Sequence, residues 1–451
     1  MEESTSRQKI LQDHELAIVN EQRLVNEITT MLESLEPLLE SPGICIYKVP
    51  DLLRNSNEEA YTPQVISLGP FHRENKKLQA MEKFKVRYLK DAKERENINL
   101  KDLVTKIKAE EGSVRECYSE TIALGSDDFV KMILLDAVFI IEFFWRNWSE
   151  HRSEYDSTIL NNSLLRNRVE LDLILLENQL PFFIIDKIYG IAFPSLSKDH
   201  PFLDFSFFQF QYFNVQRYRP RDFGSVKVLH FTDLVRKFLL PPRRRQPGRS
   251  MVIMKEMHSA TQLAEVGLKF KMRSNSRMTS HSTDCSPLEL KYEDGVLEIP
   301  FFELDDITEI NARNLVAFEQ CHYREHAYIT DYYTLLSFFI KTDKDLDLLV
   351  REQVIVNWLD GIVAISMINQ LSKQMISQRS KKRFYFQMNY DYYKMLQELK
   401  SFYANQSKLI ITLRRVLFRT PLIGASTIIA SFLLFLTLVQ SVCSVLSLKY
   451  F

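Results

Sequence analysis

Two groups of residues in this chain carry the side-chain types and spacing that chemistry uses. The first is His322-Tyr323-Arg324-Glu325-His326. It matches His-x-x-Glu-His, an inverted zinc-protease pattern. On a continuous helix, His322 and His326 would lie one turn apart and could share a metal ion, with Glu325 as general base. A third ligand would be needed downstream, and none is evident. Three fixed positions in five arise easily by chance, so an exposed polar helix face is the favoured reading and His322 and His326 stay weak metal candidates. The second group is a set of acids and amides inside apolar runs: Asp136 and Glu142 within Phe129–Trp145, and Asp172, Glu177, Asn178 and Gln179 within Val169–Phe183. Buried amides and carboxylates are costly unless hydrogen-bonded or paired. A polar network that fixes core register is therefore expected, with Glu177 paired to an Arg or Lys and the amides holding backbone groups. The competing reading makes Glu177 an acid/base partner of Asp136 or Asp172, but no nucleophile or metal partner is visible. His72, after Gly69-Pro70-Phe71, is expected to cap a helix or hold a carbonyl. No Gly-x-Ser-x-Gly elbow, phosphate-binding loop or dinucleotide fingerprint occurs. The chain is read as no enzyme, with no cofactor.

The elements that must position these residues are mainly helical. Among 451 residues there are only 11 glycines but 31 phenylalanines. Few glycines leave few left-handed backbone positions, hence few tight hairpins. The expected fold is one large helical domain over 43–415. It is preceded by an amphipathic N-terminal helix in 1–42, where Leu11, Ile18, Val25, Leu32 and Leu39 recur every seven residues. Phe129–Trp145 and Val169–Phe183 read as core helices, and Ile310–Leu349, Val354–Leu371 and Asp391–Arg415, the last leading to the C-terminal tail, read as helical. A small β-hairpin is expected over Leu288–Ile299, around Glu293-Asp294-Gly295. Lysine plus arginine equals aspartate plus glutamate, 58 each, so no global field draws the chain to nucleic acid. Five scattered cysteines without a Cys-x-x-Cys pair argue against a zinc or disulfide scaffold and favour a reducing compartment.

The C-terminal segment sets the expected location. Leu422–Leu448 is a run of 27 residues without a charged side chain, and about 20 suffice to cross a bilayer as a helix. A transmembrane helix is expected over 421–448. Arg414, Arg415 and Arg419 precede it and Lys449 alone follows, which places the N-terminal body in the cytosol. The polar N-terminus does not read as a secretory signal. Within the tail, Ser426 and Ala430 form a small-xxx-small pair and Gln440 can hydrogen-bond across helices, so self-association in the membrane is expected from these residues. The basic clusters Arg243-Arg244-Arg245 and Ser380-Lys381-Lys382-Arg383 read as solvated loops, with anionic headgroups as the alternative contact. Sequons at Asn147, Asn161 and Asn405 leave a surface-exposed location as a second reading.

A series of ordered blocks resembles the plant family of domain of unknown function 247. They run from Ile46-Tyr47-Lys48-Val49-Pro50 through Ile66-Ser67-Leu68-Gly69-Pro70-Phe71-His72, Met81-Glu82 with Lys85, and Met132-Ile133-Leu134-Leu135-Asp136. The most specific is Leu175-Leu176-Glu177-Asn178-Gln179-Leu180-Pro181-Phe182. Ala260-Thr261-Gln262-Leu263, Gly295-Val296-Leu297-Glu298-Ile299-Pro300 and Asn314-Leu315-Val316-Ala317-Phe318-Glu319-Gln320-Cys321 follow, and the apolar tail completes the match. Ala137-Val138 departs from the family's frequent Gly-Cys, and Thr420-Pro421-Leu422 lacks its Trp. The resemblance implies one C-terminal membrane helix and no established enzymatic activity. Some grass members are associated with self-incompatibility, which suggests recognition roles in the family but does not transfer to this chain, for which an unidentified protein partner is expected. It supplies no catalytic residues.

Overall fold

The structure, a computed structural model, describes residues 20–32, 43–149, 159, 161–223, 227–241, 248–254, 257–273, 286–373, 378–380, 383–417 and 421–448, some element ends as backbone only. Of the expected N-terminal helix, 20–32 is described; it is helical and exposed throughout. Arg243–Arg245, Lys381, Lys382 and Cys285 lie outside the described residues.

The body is built around one buried helix. Helices α1 (Glu82–Glu96) and α2 (Leu100–Arg115) pack on α3 (Ser126–Trp148), which also meets α5 (Phe182–Ala192) and α6 (Phe202–Gln209). α4 (Ser163–Asp172) leads into the segment before α5. Helix α3 is apolar on nearly its whole circumference, as expected of a helix surrounded by protein. Its phenylalanines seed an aromatic cluster. Phe139 stacks on Tyr88 at 5.1 Å, while Phe144 meets Phe202, Phe210 and Phe231 at 5.3–5.8 Å between centroids. Such pairs add about 0.5–1.5 kcal/mol each beyond their burial, which accounts for the abundance of Phe.

The second half alternates helices with short strands. α7 (Phe231–Leu239), α8 (Ala260–Glu265), α9 (Asp306–His322), α10 (Tyr328–Phe339), α11 (Asp343–Arg351) and α12 (Gly361–Lys373) surround three small sheets. β1 (Arg249–Met254) pairs antiparallel with β8 (Arg383–Asn389), which also pairs with β7 (Gln378–Ser380). β2 (Lys269–Arg273) runs parallel to β4 (Val296–Pro300), and β3 (Lys291–Glu293) completes that sheet. β5 (Phe302–Leu304) and β6 (Ile355–Asn357) form a parallel pair. The expected hairpin is β3–β4: Asp294 and Gly295 both take positive φ, 47° and 77°, as a two-residue hairpin turn requires. Most buried side chains from Cys45 to Leu399 form one main core, and Val49, Leu53, Tyr61, Leu176, Ala317 and Phe318 form a smaller second cluster.

Three expected helices are corrected. Val169–Phe183 is not one helix: α4 ends at Asp172, residues 173–181 are irregular, and α5 starts at Phe182. Pro181 has no N–H to continue a helix, and the side chains of Asn178 and Gln179 bind backbone carbonyls that a helix would use. Ile310–Leu349 is cut after His322 and again at Ile340–Thr342, where Thr342 and Asp345 form a capping box that starts α11. The start of Val354–Leu371 is strand β6, not helix.

Helices α13 (Tyr390–Leu417) and α14 (Pro421–Leu448) end the chain. Among the described residues no helix is long and apolar enough to cross a membrane. The expected span over 421–448 is thus not supported by the described residues, although α14 covers it.

Candidate functional site

The acids and amides singled out above converge on two extended segments, 44–49 and 64–69, which no sheet flanks apart from one bridge between Ile46 and Tyr118. Side chains take the place of a neighbouring strand. Asp172, at the end of α4, accepts N–H bonds from Gln64, Val65 and Ile66 at 2.7–2.9 Å. Asn178 Oδ1 accepts from Leu68 N at 2.7 Å, and its Nδ2 donates to the carbonyls of Ile66 and Asp172. Asp136, on α3, accepts from Gly69 N at 2.8 Å. Lys85 of α1 donates to Asp136, Glu82 and the Ser67 carbonyl at 2.5–2.6 Å. All three ammonium protons are used. Gln179 donates to the carbonyls of Leu173 and Leu175 and accepts from Phe231 N. These side chains thus satisfy most of the buried groups of the segment, while the Ser67 hydroxyl has no partner among the described residues.

Glu177 closes the other segment. It accepts from Val49 N at 2.7 Å and from Arg54, and His72 Nε2 stands 3.0 Å away, off the axis of a hydrogen bond. Burial alone would raise its carboxyl; His72, Arg54 and the Val49 amide outweigh that and hold it below the usual range. Asp136 goes the other way, raised by burial against the pull of Lys85. Burial pushes Asp172 up to about 6 despite its three N–H donors. Glu142 lies apart from this loop: it pairs with Arg95 and with Arg146, whose guanidinium also covers the Tyr88 ring at 4.1 Å. Asp136, Asp172 and Glu177 therefore meet backbone and cations, not one another, and their side chains face no solvent. Such carboxylates have no free lone pair aimed at an open face from which to take a substrate proton.

The stretch 322–326 is not the continuous helix that both the polar-face and the metal reading assumed. His322 ends α9, Tyr323 leaves the helical path, and His326 closes a separate turn, Arg324–His326. The ring of His322 is stacked on Phe318 and its Nδ1 meets the Tyr47 hydroxyl at 3.0 Å, whereas His326 is exposed. Among the described residues, no group of three or more His, Cys, Asp or Glu could hold a metal ion.

Sequence reasoning missed the residues that complete this frame. Asn314 accepts from Leu176 N and donates to the Ala60 carbonyl. Glu319 accepts from Arg236, Thr330 and the amides of Ile329 and Thr330. Both stand as polar residues in an apolar helix, the same signal that marked Asp136. His230 was also missed; Nε2 donates to the Cys45 carbonyl and Nδ1 accepts from Asp233 N, so burial keeps it neutral and lowers it to about 4. In the tail, Ala430 and Gln440 are exposed, and Ser426 lies outside the residues whose side chains are described.

The body is mainly helical, and its buried acids are held by backbone amides and by Lys and Arg side chains. The chain belongs to the family described as DUF247, plant protein of unknown function, whose model matches residues 46–436. It is similar to the UPF0481 protein At3g47200 of Arabidopsis thaliana, 28% identical over 72% of each chain. It is also similar to the putative UPF0481 protein At3g02645 of the same plant, 30% identical over 33% of this chain and 27% of the relative. No solved structure matches.

Proposed function

We propose that this chain is a non-enzymatic recognition protein held on a plant-cell membrane by α14, with its folded body on the cytosolic side. The observation that carries the reading is the character of α14. Its sequence holds no charge from Leu422 to Leu448, and Ile428, Phe432, Leu434, Phe435 and Leu438 are each 62–70% exposed. Apolar surface of that extent calls for cover, and a bilayer covers a helix on all sides. The family match runs into this helix, to residue 436. Arg414, Arg415 and Arg419 favour the cytosol for the side that carries the body. The saturated carboxylates described above support binding over catalysis.

A second reading, a body outside the cell, draws on the sequons. Asn161 and Asn405 are exposed. Asn147 is buried and donates to Gln209 at 2.8 Å, so the folded chain offers it to no glycosyltransferase. The test uses the full chain with a tag at each end in plant microsomes. Digestion of the body by added protease, with no glycosidase-sensitive mass, is expected. A protected body that loses mass with glycosidase overturns the orientation, and recovery of the full chain in the soluble fraction overturns membrane attachment.

A further inference from the structure

Two cysteines far apart in sequence, Cys45 and Cys117, are brought together by the fold. The segment 44–49 runs beside the residues that follow α2. The amides of Cys45 and Ile46 both donate to the Cys117 carbonyl at 2.9 Å, and Ser119 N donates to the Ile46 carbonyl at 2.9 Å. The parallel bridge between Ile46 and Tyr118 lies one residue further on. Chains hydrogen-bonded in this way lie about 4.7–4.9 Å apart. A disulfide asks for about 4.4–6.8 Å between Cα atoms, so the backbone already stands where a bridge needs it. Both cysteines are free thiols.

The two side chains face each other. The Cys45 thiol donates to the Cys117 sulfur, and Cys117 donates in turn to the Ser113 carbonyl at 3.3 Å. The Cys45 donation and the nearby Lys227 ammonium hold Cys117 below its usual value against the effect of burial. Cys45 is raised, first by Cys117 and then by burial. One sulfur is therefore the better thiolate and the other keeps its proton, the division between an attacking and a resolving thiol. Cys321 differs: burial pushes it up to about 11, which leaves it a slow nucleophile at neutral pH. The pair is also held in place. His230 Nε2 donates to the Cys45 carbonyl at 2.9 Å, Glu177 accepts from Val49 N, and Cys117 N donates to the Val114 carbonyl at 3.2 Å.

We propose that Cys45 and Cys117 are a peroxide-reactive thiol pair that closes to a disulfide and reopens with a thiol reductant. The Cys117 thiolate attacks one oxygen of hydrogen peroxide. The O–O bond breaks, Cys117 becomes a sulfenic acid, and the departing hydroxide takes up the proton that Cys117 released, forming water. The Cys45 sulfur then attacks the Cys117 sulfur. An S–S bond forms, the S–O bond breaks, and the oxygen leaves with the Cys45 proton as a second water. Two thiols are oxidised and one peroxide is reduced. Access selects the oxidant. Cys117 is 7% exposed and Cys45 4%, an opening that serves a molecule of two oxygens and not a peptide disulfide such as oxidised glutathione. The bridge closes a ring over 45–117, which contains α1, α2 and the segment 64–69. Closing so long a ring removes conformations from the unfolded chain, so the closed form is the more stable one.

The test uses the full chain in detergent, reduced with dithiothreitol, freed of it, and treated with hydrogen peroxide in small molar excess. Free thiols are then alkylated in urea, and the digest is read by mass spectrometry without reduction. A peptide pair joined through Cys45 and Cys117 is expected, together with a melting temperature several degrees above that of the reduced chain. Dithiothreitol should reverse both, and oxidised glutathione should close the pair at least about tenfold more slowly. Cys285→Ser, Cys321→Ala and Cys443→Ser combined leave this pair alone, and closure should be unchanged. Cys45→Ala removes the resolving thiol, and dimedone should then trap a sulfenic acid on Cys117. Full alkylation of Cys45 and Cys117 in the wild-type chain after peroxide overturns the proposal, whether or not the variants fold. So do pairing of Cys117 with another cysteine, equal rates with glutathione, a bridge that leaves the melting temperature unchanged, and loss of closure in a combined variant that melts as wild type does.

Discussion

Asp172 shows at the scale of one residue how this chain dispenses with a sheet. Its two oxygens accept three successive backbone N–H groups. Asp172→Asn would turn an NH₂ toward those donors and leave at least one of them buried and unpaired. A loss of about 2–4 kcal/mol is expected in urea unfolding; a loss under about 1 kcal/mol would show that the three bonds are dispensable. His230 gives a pH-dependent counterpart. Its folded pKa lies near 4, below the unfolded value near 6.5. Between those values the unfolded chain binds more protons, so this group's contribution to stability is present at pH 7 and is lost as pH falls through 6.5 toward 4. Wild type should therefore exceed His230→Gln in stability at pH 7, by a margin that shrinks at pH 4.5 by on the order of 2–3 kcal/mol. Asp172 and Asp331, raised by burial to about 6 and about 7, act in the opposite sense from about pH 4 upward, so the comparison must be with the variant and not along one curve. A margin that stays constant with pH would refute the assignment. Burial of Asp136, Glu142, Asp172, Glu177, Asn178 and Gln179 was legible because polar residues interrupt apolar runs. Their partners were not: Lys85, Arg54 and Arg95 lie 47–123 residues away, a distance no local pattern spans.

At the scale of elements, the hinge of the buried frame is Gly69. It takes φ +70°, and a Cβ there would stand 2.6 Å from the Gln179 carbonyl oxygen. That oxygen belongs to backbone already held by Tyr118, so it cannot yield. Gly69→Ala should cost at least about 2 kcal/mol through the left-handed backbone and the clash. Gly190→Ala, on α5 with nothing within 4 Å of the added carbon, should be neutral or stabilise by up to about 1 kcal/mol. Parallel measurement of both melting curves checks the pair, and equal shifts would sink the structural account. The core helix α3 and the hairpin β3–β4 were legible because each carries a local signature, an unbroken apolar run in one and Asp294-Gly295 in the other. Residues 173–181 were misread because a short apolar run fits helix and buried loop equally. The parallel pairs β2–β4 and β5–β6 have no local signature at all, since each joins strands separated by other elements.

For the whole molecule, both buried clusters close by Leu399, and the described side chains of α14 stand clear of them. Truncation after Leu417 should leave a soluble protein whose unfolding midpoint lies within a few degrees of the parent in detergent, and which no longer sediments with membranes. Aggregation with a large drop in midpoint would mean that α14 completes the fold. Continued sedimentation of a folded truncation would place the membrane contact elsewhere.

The side-chain frame has a consequence for how the chain is made. Leu68 waits for an oxygen 110 residues downstream, and Asn57 for one 252 residues downstream. Ribosomes add about 5–20 residues each second. The amides of Gln64, Val65, Ile66 and Leu68 therefore stay unclaimed for roughly 5–20 s after synthesis, in an extended, apolar stretch open to other chains. Binders of extended peptides at the ribosome should engage this protein at 44–72, and release should coincide with the emergence of Glu177-Asn178-Gln179.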